Sequence, residues 1–258
     1  MITTVMFDMG GTLENILVDE ESKNASAQRV VEILGAHGYP VADSIPEVRR
    51  KLDAGWDRYD VVRRATDREL KPEEIWGNYI LTDFGLGFEE AQPFSEELAY
   101  MWEVTYYKRS LRPRVKEMLE GLKGLGLKLG VISNTASLFE VFRILEDYGI
   151  RDYFSDVTLS SVTGYRKPHP YIFQVSFNQL KVEPSECVYA GDTYSRDVIG
   201  SMKAGFAGCF HIKSFLTKFK DTEVPKDLRA RWSIEDIYDI YPILKEELEK
   251  EKVAVKTA

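Results

Sequence analysis

The sequence predicts a doubly wound α/β core with a helical lobe inserted near its start. Three observations predict it. The run ITTVMF is short and apolar and ends at Asp8. After Arg112 the chain alternates apolar runs of strand length with segments of helical period. Between them, residues 15–110 show helical periodicity and no convincing strand run. Strand–helix alternation implies a parallel sheet with helices on both faces. The first strand belongs to that sheet, so residues 1–14 and 111–258 form the core and residues 15–110 a second lobe.

Each element has its own warrant. Residues 2–7 are a strand. In SAQRVVEILGAHGY, Ala27, Val30, Ile33 and Leu34 share one helical face, and PEVRRKLDAGWDRYDVVRR is a second amphipathic segment. Pro113 opens a helix in which Val115, Met118, Leu119, Leu122 and Leu125 keep helical spacing, closed by Gly124 and Gly126. KLGVIS is a strand, residues 138–148 a helix stopped by Gly149, FSDVTLS a strand and PYIFQVSFNQL a helix. ECVYAG is the next strand, residues 195–204 a helix stopped at Gly205, and GCFHIK a strand. Ala230, Arg231 and Trp232 begin a last short strand, and Ser233 is expected to cap a helical tail interrupted by Pro242. The charged end KEELEKEKVAVKTA reads as a fraying helix.

At 258 residues the chain is long enough for a substantial core. Its net charge of −8 offers no general attraction to nucleic acid or to an anionic membrane. No apolar run approaches the roughly 18 residues of a membrane span, and no basic region precedes the first apolar stretch. A cytoplasmic protein without nucleic-acid or membrane partners is expected. Cys187 and Cys209 lack metal-ligand spacing and read as buried, reduced thiols.

In a doubly wound sheet ligands bind at the carboxyl ends of the strands. Four such ends carry chemistry. The first strand ends in Asp8, the second in Ser133-Asn134-Thr135, and the loop after the third reads Gly164-Tyr165-Arg166-Lys167-Pro168. ECVYAG runs into Asp192 and Thr193, with Asp197 five residues beyond Asp192. Singly, each residue has an ordinary structural role as a cap, a loop polar or a solvated lysine. Together, three carboxylates, a lysine and a hydroxyl at one sheet edge suit a hard cation and an anion. Mg²⁺ takes one or two carboxylates and keeps several waters, while lysine and the Ser133–Asn134 donors can hold phosphate oxygens.

The stretches FDMGGTL, VISNT, GYRKPHPYIF and AGDTYSRD, in this order, resemble the four signature motifs of the haloacid dehalogenase superfamily. The resemblance covers roughly residues 1–13 and 111–235, and the insertion is similar to that family's α-helical cap. It implies that Asp8 is the nucleophile of an aspartyl-phosphate pathway, with Ser133 and Lys167 holding the phosphoryl group. Gly11, Thr12 and Asn134 are implied as further phosphate-binding positions. Asp8, Asp192 and the Gly10 carbonyl are implied as ligands of Mg²⁺, with Asp197 completing that site by bracing its waters and Lys167. The substrate expected is a small phosphorylated metabolite.

One position departs from the pattern. The family's phosphatases carry a second aspartate two residues after the nucleophile, where this chain has Gly10. A metal contact through a main-chain carbonyl survives glycine, but the general acid–base group does not, and such a group is worth ~10²–10⁴ in rate. Three readings follow: a phosphatase with another proton donor, for which Glu14 and the cap are the candidates, or one restricted to good leaving groups; a dehalogenase-like or phosphonate-cleaving hydrolase, with Lys23 or Lys51 as a Schiff-base lysine; or a phospholigand-binding protein without turnover. A positive φ at Gly10 would leave aspartate strained there. The arginines Arg58, Arg63, Arg64 and Arg68 beside Trp56 and Tyr59 read either as a grip on a second acidic group or as a solvated helix face with Asp60–Arg64 pairing. Gly121–Gly126 has the spacing of a phosphate loop, but Leu127 replaces its lysine. His37, His169 and His211 lack metal-ligand spacing and read as structural or exposed.

Overall fold

In the computed structural model, which describes residues 1–221, 224, 225 and 227–257, eight strands form two sheets. They are β1 (Thr4–Phe7), β2 (Glu14–Leu17), β3 (Lys108–Leu111), β4 (Lys128–Ser133), β5 (Asp156–Leu159), β6 (Cys187–Gly191), β7 (Gly208–Ile212) and β8 (Trp232–Ile234). The main sheet is parallel throughout, in the order β5-β4-β1-β6-β7-β8. The chain moves outward from β1 through β4 to β5, then returns to the other side of β1 for β6, β7 and β8. This reversal leaves a crevice beyond the carboxyl end of β1, and Asp8 sits there.

Apolar side chains at period two build both faces of the sheet. Val5, Phe7, Leu129, Val131, Val188 and Ala190 belong to one buried cluster, and Met6, Ile132, Cys187 and Tyr189 to the other. The helices Val115–Gly124, Glu140–Asp147 and Ile240–Thr257 cover the first face. Pro170–Leu180 and Ile199–Ala204 cover the second. Cys187 and Cys209 are buried free thiols.

The inserted lobe has a separate core. Its longer helices are Glu20–Ala36, Ile45–Thr66 and Ser95–Thr105. Ala27, Val30, Ile33 and Leu34 are buried against Leu52, Trp76 and Trp102. Trp56, Trp76 and Trp102 lie with ring centroids 5.3–6.1 Å apart, large apolar area concentrated in one spot.

Several expectations need correction. The insertion and its junctions are not wholly helical, because β2 and β3 pair antiparallel, Glu14 opposite Leu111 and Leu17 opposite Lys108. Each strand is four residues long, and Glu14, Asn15 and Lys108 favour strands poorly, so the alternation is too short to stand out. The helix expected from Pro113 begins at Val115, after Arg114 at φ 65°. Ser233 lies inside β8, and Asp236 supplies the cap by accepting a hydrogen bond from the Tyr238 N–H. Pro242 occupies the first turn of Ile240–Thr257, where an amide has no intrahelical partner to lose, so the helix continues through it. No helix among the described residues is long and apolar enough to cross a membrane.

Candidate active site

Asp8 is anchored before it does any chemistry. Its N–H donates to the Ala190 carbonyl at 2.9 Å, tying the end of β1 to β6. The Thr12 hydroxyl donates to Asp8 Oδ2 at 3.2 Å, and Lys167 Nζ donates to Asp8 Oδ1 at 2.6 Å. Lys167 also donates to the Tyr189 hydroxyl at 2.8 Å and forms an ion pair with Asp197 Oδ1 at 2.8 Å. Tyr189 in turn donates to the Ile132 carbonyl at 3.2 Å.

Asp8, Asp192 and Asp197 each present a carboxylate oxygen within 4.8 Å of the others, all buried. Burial, outweighed by the charges of Lys167 and Arg196, leaves the Asp197 carboxyl held down to about 2. Burial first, then the charges of Asp8 and Asp197, push Asp192 up to about 7. The Ser214 hydroxyl donates to Asp192 Oδ2, while buried Asp192 Oδ1 has no hydrogen-bond partner.

This donor set fits a divalent cation. An orphaned carboxylate oxygen beside a second carboxylate is the one or two oxygens that Mg²⁺ takes from protein. Asp197 stands behind them: its Oδ2 accepts from the Thr193 N–H at 3.0 Å and the Thr193 hydroxyl at 2.6 Å, and its Oδ1 faces Lys167.

The two glycines after Met9 differ in what they permit. Gly11 has φ +93°, and a Cβ there would lie 2.3 Å from Asp192 Oδ2, so only glycine fits. Gly10 is not in the positive-φ region, contrary to the strain anticipated for it. A Cβ on Gly10 would meet Ile16 Cδ1 at 2.7 Å and Arg109 Nη1 at 3.7 Å. Those side chains fill the place a second aspartate would take.

Asp8 and Gly10 border a cavity of about 120 Å³, with Ser133 and Asn134 from the core and Arg63 and Glu103 from the inserted lobe. Ser133 thus reaches the cavity. The Asn134 amide donates to the Lys167 carbonyl at 3.0 Å and accepts the Lys167 N–H at 2.8 Å, so this side chain positions the lysine loop. Thr12 is fully buried beneath Asp8.

The proton donors and alternative lysines weighed from sequence fare differently. Glu14 is buried behind the cavity, bonded to Arg109 at 2.8 Å and Tyr148 at 3.0 Å, and is not among the residues lining it. Lys23 pairs with Glu20 at 3.2 Å and Lys51 with Asp43, and neither lines the cavity. Of the four arginines, Arg58 bonds the Tyr79 carbonyl, Arg64 pairs with Asp60 at 3.2 Å and Arg68 stacks on Tyr165. Arg63 alone of them lines the Asp8 cavity. His37 pairs with Glu97, His169 accepts the Tyr171 N–H, and buried His211 meets the Asp192 carbonyl.

Sequence reasoning missed Tyr189, Glu103, Arg109 and Glu140. Tyr189 sits among apolar strand residues and reads as core. The other three look like ordinary solvated charges in one dimension, and no local spacing links them.

Residues 2–205 match the family described as haloacid dehalogenase-like hydrolase. The chain belongs to that family. Among haloacid dehalogenase-like relatives, the "Haloacid dehalogenase-like hydrolase domain-containing protein 3" of Bos taurus is 36% identical over 129 residues, 46% of this chain and 47% of that protein. The match therefore spans about half the length of that curated relative. A "Glyceraldehyde 3-phosphate phosphatase" of Methanopyrus kandleri is 30% identical over 237 residues, 88% of this chain and 90% of that protein. The fold is shared with a "HAD phosphatase from Thermococcus onnurineus" at TM-score 0.61 and 24% identity, covering 94% of this chain and 98% of that one.

Proposed function

We propose that this haloacid dehalogenase-like hydrolase is a Mg²⁺-dependent phosphatase of a small phosphorylated metabolite, acting through an aspartyl-phosphate on Asp8. One observation carries the reading: the Asp8 carboxylate borders a cavity while buried Lys167 holds one of its oxygens at 2.6 Å. In this reading an Asp8 oxygen attacks phosphorus and the bond to the leaving oxygen breaks. Water then attacks the same phosphorus, phosphate leaves and the Asp8 carboxylate is restored. Lys167 and Ser133 hold phosphoryl oxygens, and Asp197 and the Asn134 amide hold Lys167. Mg²⁺, which Asp8 and Asp192 would hold, would supply positive charge to offset that of the phosphoryl group. The names of the relatives make glyceraldehyde 3-phosphate the first compound to assay in a panel of phosphorylated metabolites.

Calorimetric titration of Mg²⁺ into the metal-free protein, with Asp192→Ala as control, tests the metal site. Binding requires Asp192 to lose a proton that it holds up to about pH 7, so affinity should rise from pH 6 to pH 8. The sign for stability is the reverse. A carboxyl whose folded pKa is raised contributes stability present below its unfolded value and lost as pH rises through about 7. Metal-free protein should therefore melt at lower temperature at pH 8 than at pH 5, and Mg²⁺ should raise the melting temperature most at pH 8. Asp192→Ala should flatten both trends. Equal Mg²⁺ binding by the two proteins would remove Asp192 from the metal site.

A further inference from the structure

With glycine at position 10, the leaving oxygen must find its proton elsewhere, and the cavities around Asp8 limit the groups that could supply it. The Asp8 cavity adjoins a larger one, about 440 Å³, lined in the inserted lobe by the rings of Trp56, Trp102 and Tyr106 and by Asp53, Asp57 and Asp60. Arg63, Glu103 and Tyr107 line both. A substrate with its phosphoryl group on Asp8 and the rest of the molecule in the second cavity would have its bridging oxygen at this junction. Arg63 is paired with Asp60, and a guanidinium carries donors only and does not act as a proton acid in proteins. Burial, then the charge of Glu103, pushes the Tyr107 hydroxyl far above neutrality. Of the three, the carboxyl of Glu103 remains as a group able to give and take a proton.

Arg109 holds that carboxyl in place. Its Nη2 donates to Glu103 Oε2 at 2.8 Å and its Nε to the Glu103 carbonyl at 2.8 Å, gripping the residue at both ends. The same guanidinium meets Glu140 Oε1 at 3.0 Å and Glu14 Oε2 at 2.8 Å. Three carboxyls therefore share one cation, and full ionisation would leave two uncompensated negative charges out of water, a costly arrangement. Burial, then the charge of Glu140, raises Glu103 to about 7, with Arg109 opposing, Glu69 adding to the rise and the Ala136 N–H facing it. Glu140 Oε2 is buried with no hydrogen-bond partner, so the cluster has a polar atom to spare at the cavity wall. Arg109 Nη1 reaches to 3.7 Å from where a side chain on Gly10 would begin, so the cluster occupies the region of the absent aspartate.

We infer that Glu103, reaching in from the inserted lobe and positioned by Arg109, is the general acid and base of the reaction in place of a carboxylate at position 10. The inference rests on the phosphatase reading above. In the first half-reaction an Asp8 oxygen bonds to phosphorus, the bridging P–O bond breaks with its electron pair on oxygen, and the Glu103 proton moves to that oxygen to give the alcohol. In the second, water oxygen bonds to phosphorus, its proton moves to the Glu103 carboxylate and the Asp8–phosphorus bond breaks. Phosphate leaves with Asp8 ionised and Glu103 protonated, as at the start.

Glu103→Gln tests this, since glutamine keeps an acceptor for Arg109 and loses the proton. With an alkyl phosphate, turnover should fall by ~10²–10⁴. With p-nitrophenyl phosphate, whose leaving group needs no proton, the variant should still release a burst of nitrophenolate and then stall, its phosphoenzyme visible by intact mass. Adding Gly10→Asp to Glu103→Gln should recover alkyl-phosphate turnover once Ile16 gives way. A folded Glu103→Gln protein within about threefold of wild type on the alkyl phosphate, far short of a general acid's worth, would overturn the assignment. An equal loss on both substrates, burst included, would do so too, since it marks a structural role. If Glu103→Gln does not fold, Glu103→Asp takes its place: the alkyl-phosphate rate should fall and the aryl burst persist, and equal effects on both again overturn the assignment. Absence of any Asp8-dependent phosphoenzyme in the wild type is a separate result that takes down the phosphatase reading itself.

Discussion

Asp8→Asn is expected to abolish phosphatase turnover and to leave the metal-free protein at least as stable as the wild type. The two effects have different causes. Loss of turnover follows from the amide's failure as a nucleophile, and neither neighbouring carboxylate is placed to replace it, since Asp8 lines the cavity and Asp192 and Asp197 do not. Retained stability follows from electrostatics. Asp8 lies among two other buried carboxylates with one lysine between them, and its charge is one of the causes of the raised Asp192 carboxyl. Asparagine keeps an oxygen for Lys167 and removes that repulsion. Steady-state kinetics on an aryl phosphate together with a melting curve in EDTA tests both halves. Turnover at a wild-type rate in a pure preparation would move the nucleophile elsewhere, and a large loss of stability would mean that the Asp8 charge is a net contributor to the fold.

Lys167→Met is expected to have the opposite effect on stability and the same effect on turnover. The lysine is 2% exposed, and its ammonium faces Asp8, Asp197 and the Tyr189 hydroxyl. Methionine roughly matches its volume but removes the ammonium between buried Asp8 and Asp197, leaving only the Arg196 charge to offset Asp197. Breaking a buried pair from one side costs about 3–5 kcal/mol. In a chain of this size each kcal/mol shifts the melting temperature by roughly 2–4 °C, so a fall of about 6–20 °C is expected. Urea denaturation in EDTA measures it, and Mg²⁺ should restore part of the loss by supplying positive charge to the same carboxylates. Stability unchanged in Lys167→Met would show that the carboxylates shed their charge by taking up protons instead.

The core was legible because its strands are buried on both faces. TVMF, KLGVIS and CVYAG are apolar runs of the right length, and each ends at a residue with chemistry: Asp8, Ser133 and Asp192 lie at or just past their last apolar positions. Backbone period two then sends Val5 and Phe7 to one cluster and Met6 to the other without further information. The β2–β3 ribbon was not legible. Glu14–Leu17 and Lys108–Leu111 are half-exposed, charged, and meet only because the inserted lobe brings its two ends together.

The site divides along the same line. The sequence by itself determined that Asp8, Lys167, Asp192 and Asp197 would converge, because each follows a strand of one parallel sheet and the strand order brings those ends into one crevice. It also showed that an acid is absent at Gly10. What stands in the place of that acid was decided only by the tertiary structure. Glu14, Glu103, Arg109 and Glu140 come from a short ribbon and two separate helices, and each reads as a surface charge until folding takes it out of water. Their mutual electrostatics depend on distance and burial, which no local spacing encodes, so one guanidinium shared among three carboxyls beside Asp8 is a property of the folded chain alone.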